Sequence, residues 1–211
     1  MGVNHEETYS PTCRNSTVLF IFTLTAYLDR EIKQCDVTAA YLHARMDMPV
    51  YMLPPKGFCA TDKSVWTKEY ICGPNQCLRL DGAVYGTKQA GRQWYKYIHR
   101  ILTIVLGYTM SPVDRRLLMI VLDDKTVNFL VIYVDDIIIT GTSKAECERV
   151  LLILGQHFKL SIPNLEKFLR YETKRDHTKR LLYLTMSEYT KSIIKYMNMD
   201  DDEKFRVRKI P

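Results

Sequence analysis

A chain of 211 residues with 46% hydrophobic and 26% charged residues can bury one sizeable core, which excludes an intrinsically disordered polymer. The formal charge of +6 suits a polyanionic partner without identifying one. Residues 16–28 read as an amphipathic core helix, because the apolar stretch from Thr17 to Leu28 is too short and too threonine-rich to span a bilayer. Residues 31–37 read as a strand and 38–46 as a short helix or turn. The stretch 59–76 is an irregular connection containing Cys, Gly and Pro, with Trp66 its one apparent anchor.

Gln89 to Leu106 has helical spacing, since Trp94, Tyr97, Ile98, Ile101, Leu102 and Val105 recur on one face, and Gly107 closes it. An aromatic stripe of this kind is more often core than binding surface. Leu117–Leu122 and Val127–Val134 read as two strands joined by a turn at Asp123-Asp124-Lys125. Ser143 followed by Glu146 is a capping-box signature for a helix running to about Phe158. A hairpin around Lys174 to Lys179 and a helix from Ser187 to Met197 complete an α+β order with no internal repeat. The six cysteines, at positions 13, 35, 59, 72, 77 and 147, show neither C-x-x-C nor zinc-like spacing. They are expected to be free thiols in a reducing intracellular compartment, cytoplasmic or nuclear, with no signal peptide and no membrane partner.

The most informative segment is Tyr133-Val134-Asp135-Asp136, where two adjacent carboxylates interrupt two apolar, β-branched runs. As strand, tight turn and strand, it lifts both acids to a hairpin tip, facing solvent, a divalent metal or a phosphate. They could instead be plain turn residues, although Asp-Gly or Asn-Gly would be the ordinary choice there. Asp36 lies near the end of the strand-like Ile32 to Val37. If the two strand ends are neighbours in one sheet, Asp36 and Asp135 converge and could bridge two hard cations such as Mg²⁺, the arrangement that stabilises attacking and leaving oxygens in phosphoryl transfer.

At this point the chain resembles the reverse transcriptase domain of copia-type retrotransposon Pol polyproteins. The blocks run in order: Gly2-Val3-Asn4-His5-Glu6-Glu7-Thr8-Tyr9-Ser10-Pro11, Gln34-Cys35-Asp36-Val37-Thr38-Ala39-Ala40-Tyr41-Leu42, Val50-Tyr51-Met52, Pro54-Pro55-Lys56-Gly57-Phe58, Tyr85 to Tyr95, the Tyr133–Asp136 box, and Leu184-Thr185-Met186-Ser187-Glu188-Tyr189, with a final Pro211. The resemblance implies a polymerase palm with partial fingers, an antiparallel sheet packed on helices, over residues 1–198, and a basic tail at 199–211 leading toward a thumb. It implies that Asp36, Asp135 and Asp136 are catalytic carboxylates holding two Mg²⁺ or Mn²⁺ ions, with the Val37 carbonyl an extra ligand. Tyr41 matches the aromatic that crowds a nucleotide's 2′-hydroxyl, and Gln89 lines the nucleotide pocket. Lys88 and Arg92, i and i+4 if helical, share a face that could meet phosphates; a solvated face is the equal alternative. Tyr41 and Tyr133 could also be core aromatics. The implied partners are an RNA or DNA template with primer and deoxynucleoside triphosphates.

Four departures accompany the match. Upstream fingers, most of a thumb, and the protease, integrase and RNase H regions of a full Pol polyprotein are expected to lie outside these residues. Gly91 stands where the family has proline, loosening the backbone beside Gln89. Arg170 stands where the family has a glycine, and Ile162-Pro163-Asn164-Leu165 is one residue short. The expectation is therefore a nucleotidyltransferase domain. Its alternative is an inactive, truncated retroelement remnant that at most binds nucleic acid, or, more remotely, an α+β interaction protein.

Overall fold

The computed structural model describes Ser10 and residues 12–54, 77–123 and 125–199. The irregular connection with Trp66, the first block up to Tyr9, Pro11, and the tail from 200 onward lie outside the described residues. In chain order the elements are α1 (Asn15–Tyr27), β1 (Glu31–Val37), a 3-10 turn (Ala40–His43), β2 (Arg45–Met52), β3 (Leu78–Gly82), α2 (Ala90–Arg100) continuing into a π-turn (Ile101–Val105), and β4 (Thr109–Met110). There follow β5 (Leu117–Val121), β6 (Val127–Tyr133), β7 (Asp136–Gly141), α3 (Lys144–His157), β8 (Leu160–Ser161), β9 (Lys167–Phe168), β10 (Tyr171–Asp176), β11 (Leu181–Thr185) and α4 (Ser187–Tyr196). The result is a mixed α/β chain built on antiparallel sheets, as the sequence indicates.

The main sheet has six strands in the order β4-β5-β6-β7-β1-β8, every neighbouring pair antiparallel. Its central strands are apolar on both faces because both faces are covered. On one face Cys35, Val37, Leu130, Ile132, Ile137 and Ile139 join a core with Trp94 and Ile98 of α2, Leu102 of the π-turn, and Val150 and Leu154 of α3. On the other, Val131 and Ile138 pack with Val18, Ile21 and Phe22 of α1 and with Phe168 of the three-stranded sheet β11-β10-β9. A strand alternates its side chains between faces, so the uninterrupted run at residues 137–139 feeds both cores.

Local signals set most boundaries. The Ser143 hydroxyl accepts the Glu146 amide at 3.2 Å, whereas the Glu146 carboxylate turns away to pair with Arg149 at 2.8 Å, so only half of a capping box forms. Gly141 lets α3 approach the sheet, since a Cβ there would stand 2.9 Å from the Cys147 sulfur. The expected helix over 89–106 is corrected at both ends. It begins at Ala90, and beyond Arg100 it widens into a π-turn closed by the Leu106 amide donating to Ile101 at 3.1 Å, with Gly107 at φ +75° ending it. Cys13, Cys35, Cys77 and Cys147 are free thiols; Cys59 and Cys72 lie outside the described residues. No helix among the described residues is long and apolar enough to cross a membrane.

Candidate active site

The alternation of β1 and β7 decides where the carboxylates go. Asp36 pairs across the ladder with Asp136, and Asp136 in turn pairs with Tyr133 across the β6–β7 hairpin. Directly opposed residues project to the same face, so Tyr133, Asp136 and Asp36 form a row at the end of the sheet, continued by Ser161 of β8. Asp135 occupies the loop between them, and its carbonyl accepts the Val37 amide at 3.0 Å. An extended residue points its N–H and C=O to the same side, so the Val37 carbonyl also faces this hairpin.

The turn itself is strained. Val134 has φ +60°, a conformation that a β-branched side chain rarely adopts and that costs about 1–3 kcal/mol. Trp94 holds it: the indole Nε1 donates to the Val134 carbonyl at 2.6 Å. Sequence reasoning placed Trp94 in the core, where it is indeed fully buried, but its hydrogen bond has no sequence signature. Gln34 was likewise quoted without a role. Two residues before Asp36 on the same face, it donates from Nε2 to Asp136 Oδ1 at 3.3 Å; the period of two along β1 was the signal that could have found it.

Electrostatically the acids feel one another. Burial, then the Asp135 charge, raises the pKa of Asp36. Burial also raises that of Asp136, opposed by the Gln34 hydrogen bond and reinforced by Asp36 and Asp135. The thiol of Cys35, behind them on the opposite face, is pushed up to about 12 by burial and then by Asp36 and Asp136. Such a cluster favours a cation among its carboxylates.

Tyr41 sits on the 3-10 turn that follows Ala39, which is left-handed at φ +54°. Its ring stacks on Tyr85 with centroids 4.4 Å apart. Its hydroxyl pKa is raised by burial, then by Asp135 and Tyr85, with Arg116 opposing. It is therefore within electrostatic reach of the hairpin. Gln89 is buried at the N-cap of α2. Lys88 precedes the helix, which corrects the premise that it shares a helical face with Arg92; Lys88 is exposed on the turn and Arg92 half-buried on α2.

Gly91 needs no glycine-only conformation, and a Cβ there would meet Ser10 Cβ at 3.5 Å and the Tyr41 hydroxyl at 3.8 Å, ordinary contacts. Gly91→Ala is expected to stabilise the chain by about 0.4–1 kcal/mol by restricting the unfolded state, read as a higher urea midpoint with an unchanged slope. A lower midpoint would show that the alanine methyl is not accommodated. Arg170 is accommodated as well: Leu169 takes the left-handed position at φ +55°, and the Arg170 guanidinium lies 4.8 Å over the Tyr189 ring.

Whether this constellation suits a metal turns on its donors. All are hard oxygens, the preference of Mg²⁺. Among the described residues no group of three or more His, Cys, Asp or Glu side chains is arranged to hold a metal by itself. Oxygen donors are what this hairpin offers a Mg²⁺ ion, whose shell substrate phosphates and water would complete.

Comparison with known proteins fits this geometry. The chain is 30% identical over 94% of its length to the retrovirus-related Pol polyprotein from transposon RE2 of Arabidopsis thaliana, covering 13% of that protein. It is 28% identical, over the same share of its length, to that from transposon TNT 1-94 of Nicotiana tabacum, covering 14% of it. Against the Transposon Ty1-H Gag-Pol polyprotein of Saccharomyces cerevisiae it is 27% identical over 77% of its length and 8% of the relative. The chain thus spans a small fraction of the curated relatives it matches. Residues 1–210 match the reverse transcriptase (RNA-dependent DNA polymerase) family, and with its copia-type relatives the chain belongs to that family.

Proposed function

We propose that this chain is the palm and partial fingers of an RNA-directed DNA polymerase, over residues 1–198. It would extend a primer on an RNA or DNA template with deoxynucleoside triphosphates. Residues 199–211 would lead toward a thumb. The observation that carries the reading is the β1–β7 register, which sets Asp36 beside Asp136 at the mouth of a strained hairpin bearing Asp135.

When bound, two Mg²⁺ or Mn²⁺ ions would supply the charge that acidifies a primer 3′-hydroxyl and neutralises the leaving pyrophosphate. Asp36, Asp135, Asp136 and the Val37 carbonyl would hold them. The chain's own groups mainly position and screen: carboxylates on rigid strand ends are already placed before substrate arrives, so little reorganisation is needed at the moment of reaction. Tyr41, fixed by its stack on Tyr85, would crowd the sugar 2′ position. Gln89 would line the nucleotide pocket, and Lys88 and Arg92 would meet phosphates as separate cations from the turn and the helix.

Primer extension on an RNA template with Mg²⁺ or Mn²⁺ tests this, with Asp135→Asn purified in parallel. Extension by the chain and its loss by about 10²–10³-fold in the variant is expected, since removal of a group aimed at transition-state charge costs on that order. Folded protein that extends no primer would favour the inactive retroelement remnant.

A further inference from the structure

The two loop residues between β6 and β7 expose two consecutive peptide carbonyls, and each is held by a different element. The Asp135 carbonyl accepts the Val37 amide of β1 at 3.0 Å. The Val134 carbonyl accepts the Trp94 indole of α2 at 2.6 Å. A hairpin tip that bears a left-handed valine persists only where its surroundings over-determine it. Here the over-determination has a visible source. The indole is itself immobile: it is fully buried, packed edge-on against Phe158 at 5.3 Å between ring centroids, with His43 and Tyr97 each at 6.4 Å. Its one donor has no water to turn to, and the Val134 carbonyl would be left unpaired beneath the turn without it.

We infer that Trp94 is a positioning residue: its indole N–H anchors the Val134 peptide to α2 and thereby fixes where Asp135 and Asp136 stand relative to Asp36. The consequence for catalysis rests on the proposed polymerase reading; the anchoring itself does not. Fully buried, Trp94 acts through the backbone of the turn. Because α2 is also flanked by Gln89 at its N-cap and carries Arg92, the same helix would tie the geometry of the acids to that of the nucleotide pocket.

Amide hydrogen exchange followed by ¹⁵N NMR separates anchoring from mere packing. The chain has two tryptophans, so a Trp66→Phe variant identifies the Trp94 indole signal. In the unaltered chain that indole is expected to exchange far more slowly than an exposed one. Trp94→Phe keeps a ring and removes the donor. The Val37 amide, which donates to the Asp135 carbonyl of the turn, should then exchange at least about tenfold faster, while the Leu118 and Leu130 amides of β5 and β6 change little.

Unchanged exchange at Val37, or an equal rise throughout the sheet, would overturn the anchoring role. Should Trp94→Phe fail to fold, fast exchange of the wild-type indole would overturn it and slow exchange would uphold it. In primer extension the same variant should lower kcat while leaving KM for the nucleotide near its original value. Absence of extension by the unaltered chain would count against the polymerase reading alone, because the exchange result stands without it.

Discussion

Asp114→Ala is expected to destabilise the chain by about 3–5 kcal/mol, the cost typical of breaking a buried charge arrangement and a large part of the 5–15 kcal/mol that holds a domain together. The Asp114 carboxylate is almost fully buried and satisfies several donors at once. It accepts the Arg14 amide at 3.0 Å, the Thr17 hydroxyl at 2.6 Å and the Arg116 amide at 2.9 Å, with the Cys13 thiol at 3.6 Å. Alanine would strand those donors at the start of α1. It would also remove a negative charge that acts on Arg116, whose buried guanidinium donates to the Ser10 hydroxyl at 2.8 Å and lies 4.4 Å over the Tyr95 ring.

Burial pushes the Asp114 pKa up, but the hydrogen bonds from Thr17, Arg14, Arg116 and Cys13 outweigh it, and the net shift is downward. A depressed carboxyl stabilises the fold above its unfolded pKa of about 3.9 and loses that contribution as pH falls through the folded value. Urea midpoints of the chain and the variant should therefore differ most near pH 7 and approach each other in acid. A difference below about 1 kcal/mol at pH 7 would show that water replaces the carboxylate.

Asp36→Asn is expected to act in the opposite direction. The Asp36 pKa is raised, by burial first and by Asp135 second, so its folded form favours the proton. Its stabilising contribution is present below about pH 3.9 and is lost as pH rises through the raised folded value. At pH 7 the ionised residue is a liability, and asparagine relieves it. The melting temperature of Asp36→Asn should exceed that of the unaltered chain at pH 7, with the gain shrinking toward pH 3.5. Asp136→Asn is a less clean test, because the Gln34 donor that now meets its Oδ1 would have to re-pair. Two carboxylates in one sheet region thus have opposite effects: Asp114 is wrapped in donors and supports the fold, whereas Asp36 faces like charge, as functional sites often do.

Periodicity and capping made much of this fold legible. Strand β1, Glu31–Val37, matches the strand read at 31–37. The flanking apolar segments identified β6 and β7, and Ser143 marked the start of α3. What escaped depended on partners distant in sequence. Strands β2 and β3 pair across a long irregular connection, and β4, β8 and β9 are two residues each, too short for any period to show. The π-turn after Arg100 keeps the helical apolar spacing and so is indistinguishable from α-helix in sequence. At the site, the acids were legible as a motif. The left-handed Val134 was not, because valine is an improbable occupant of that conformation and is held there by Trp94, forty residues away. The condition that Lys88 and Arg92 share a helical face fails because α2 starts only at Ala90, and nothing in Tyr85-Gly86-Thr87-Lys88-Gln89 marks the cap.

The central claim is that Asp36 and the β6–β7 hairpin share a divalent cation, and a melting curve against Mg²⁺ concentration at pH 7 tests it most directly. A ligand that binds only the folded state raises its stability with the logarithm of concentration once past its Kd. The unaltered chain should melt at progressively higher temperature as Mg²⁺ is added, while Asp36→Asn should start higher and stay flat. Equal responses from the two, or none from either, would contradict a cation held between these strands.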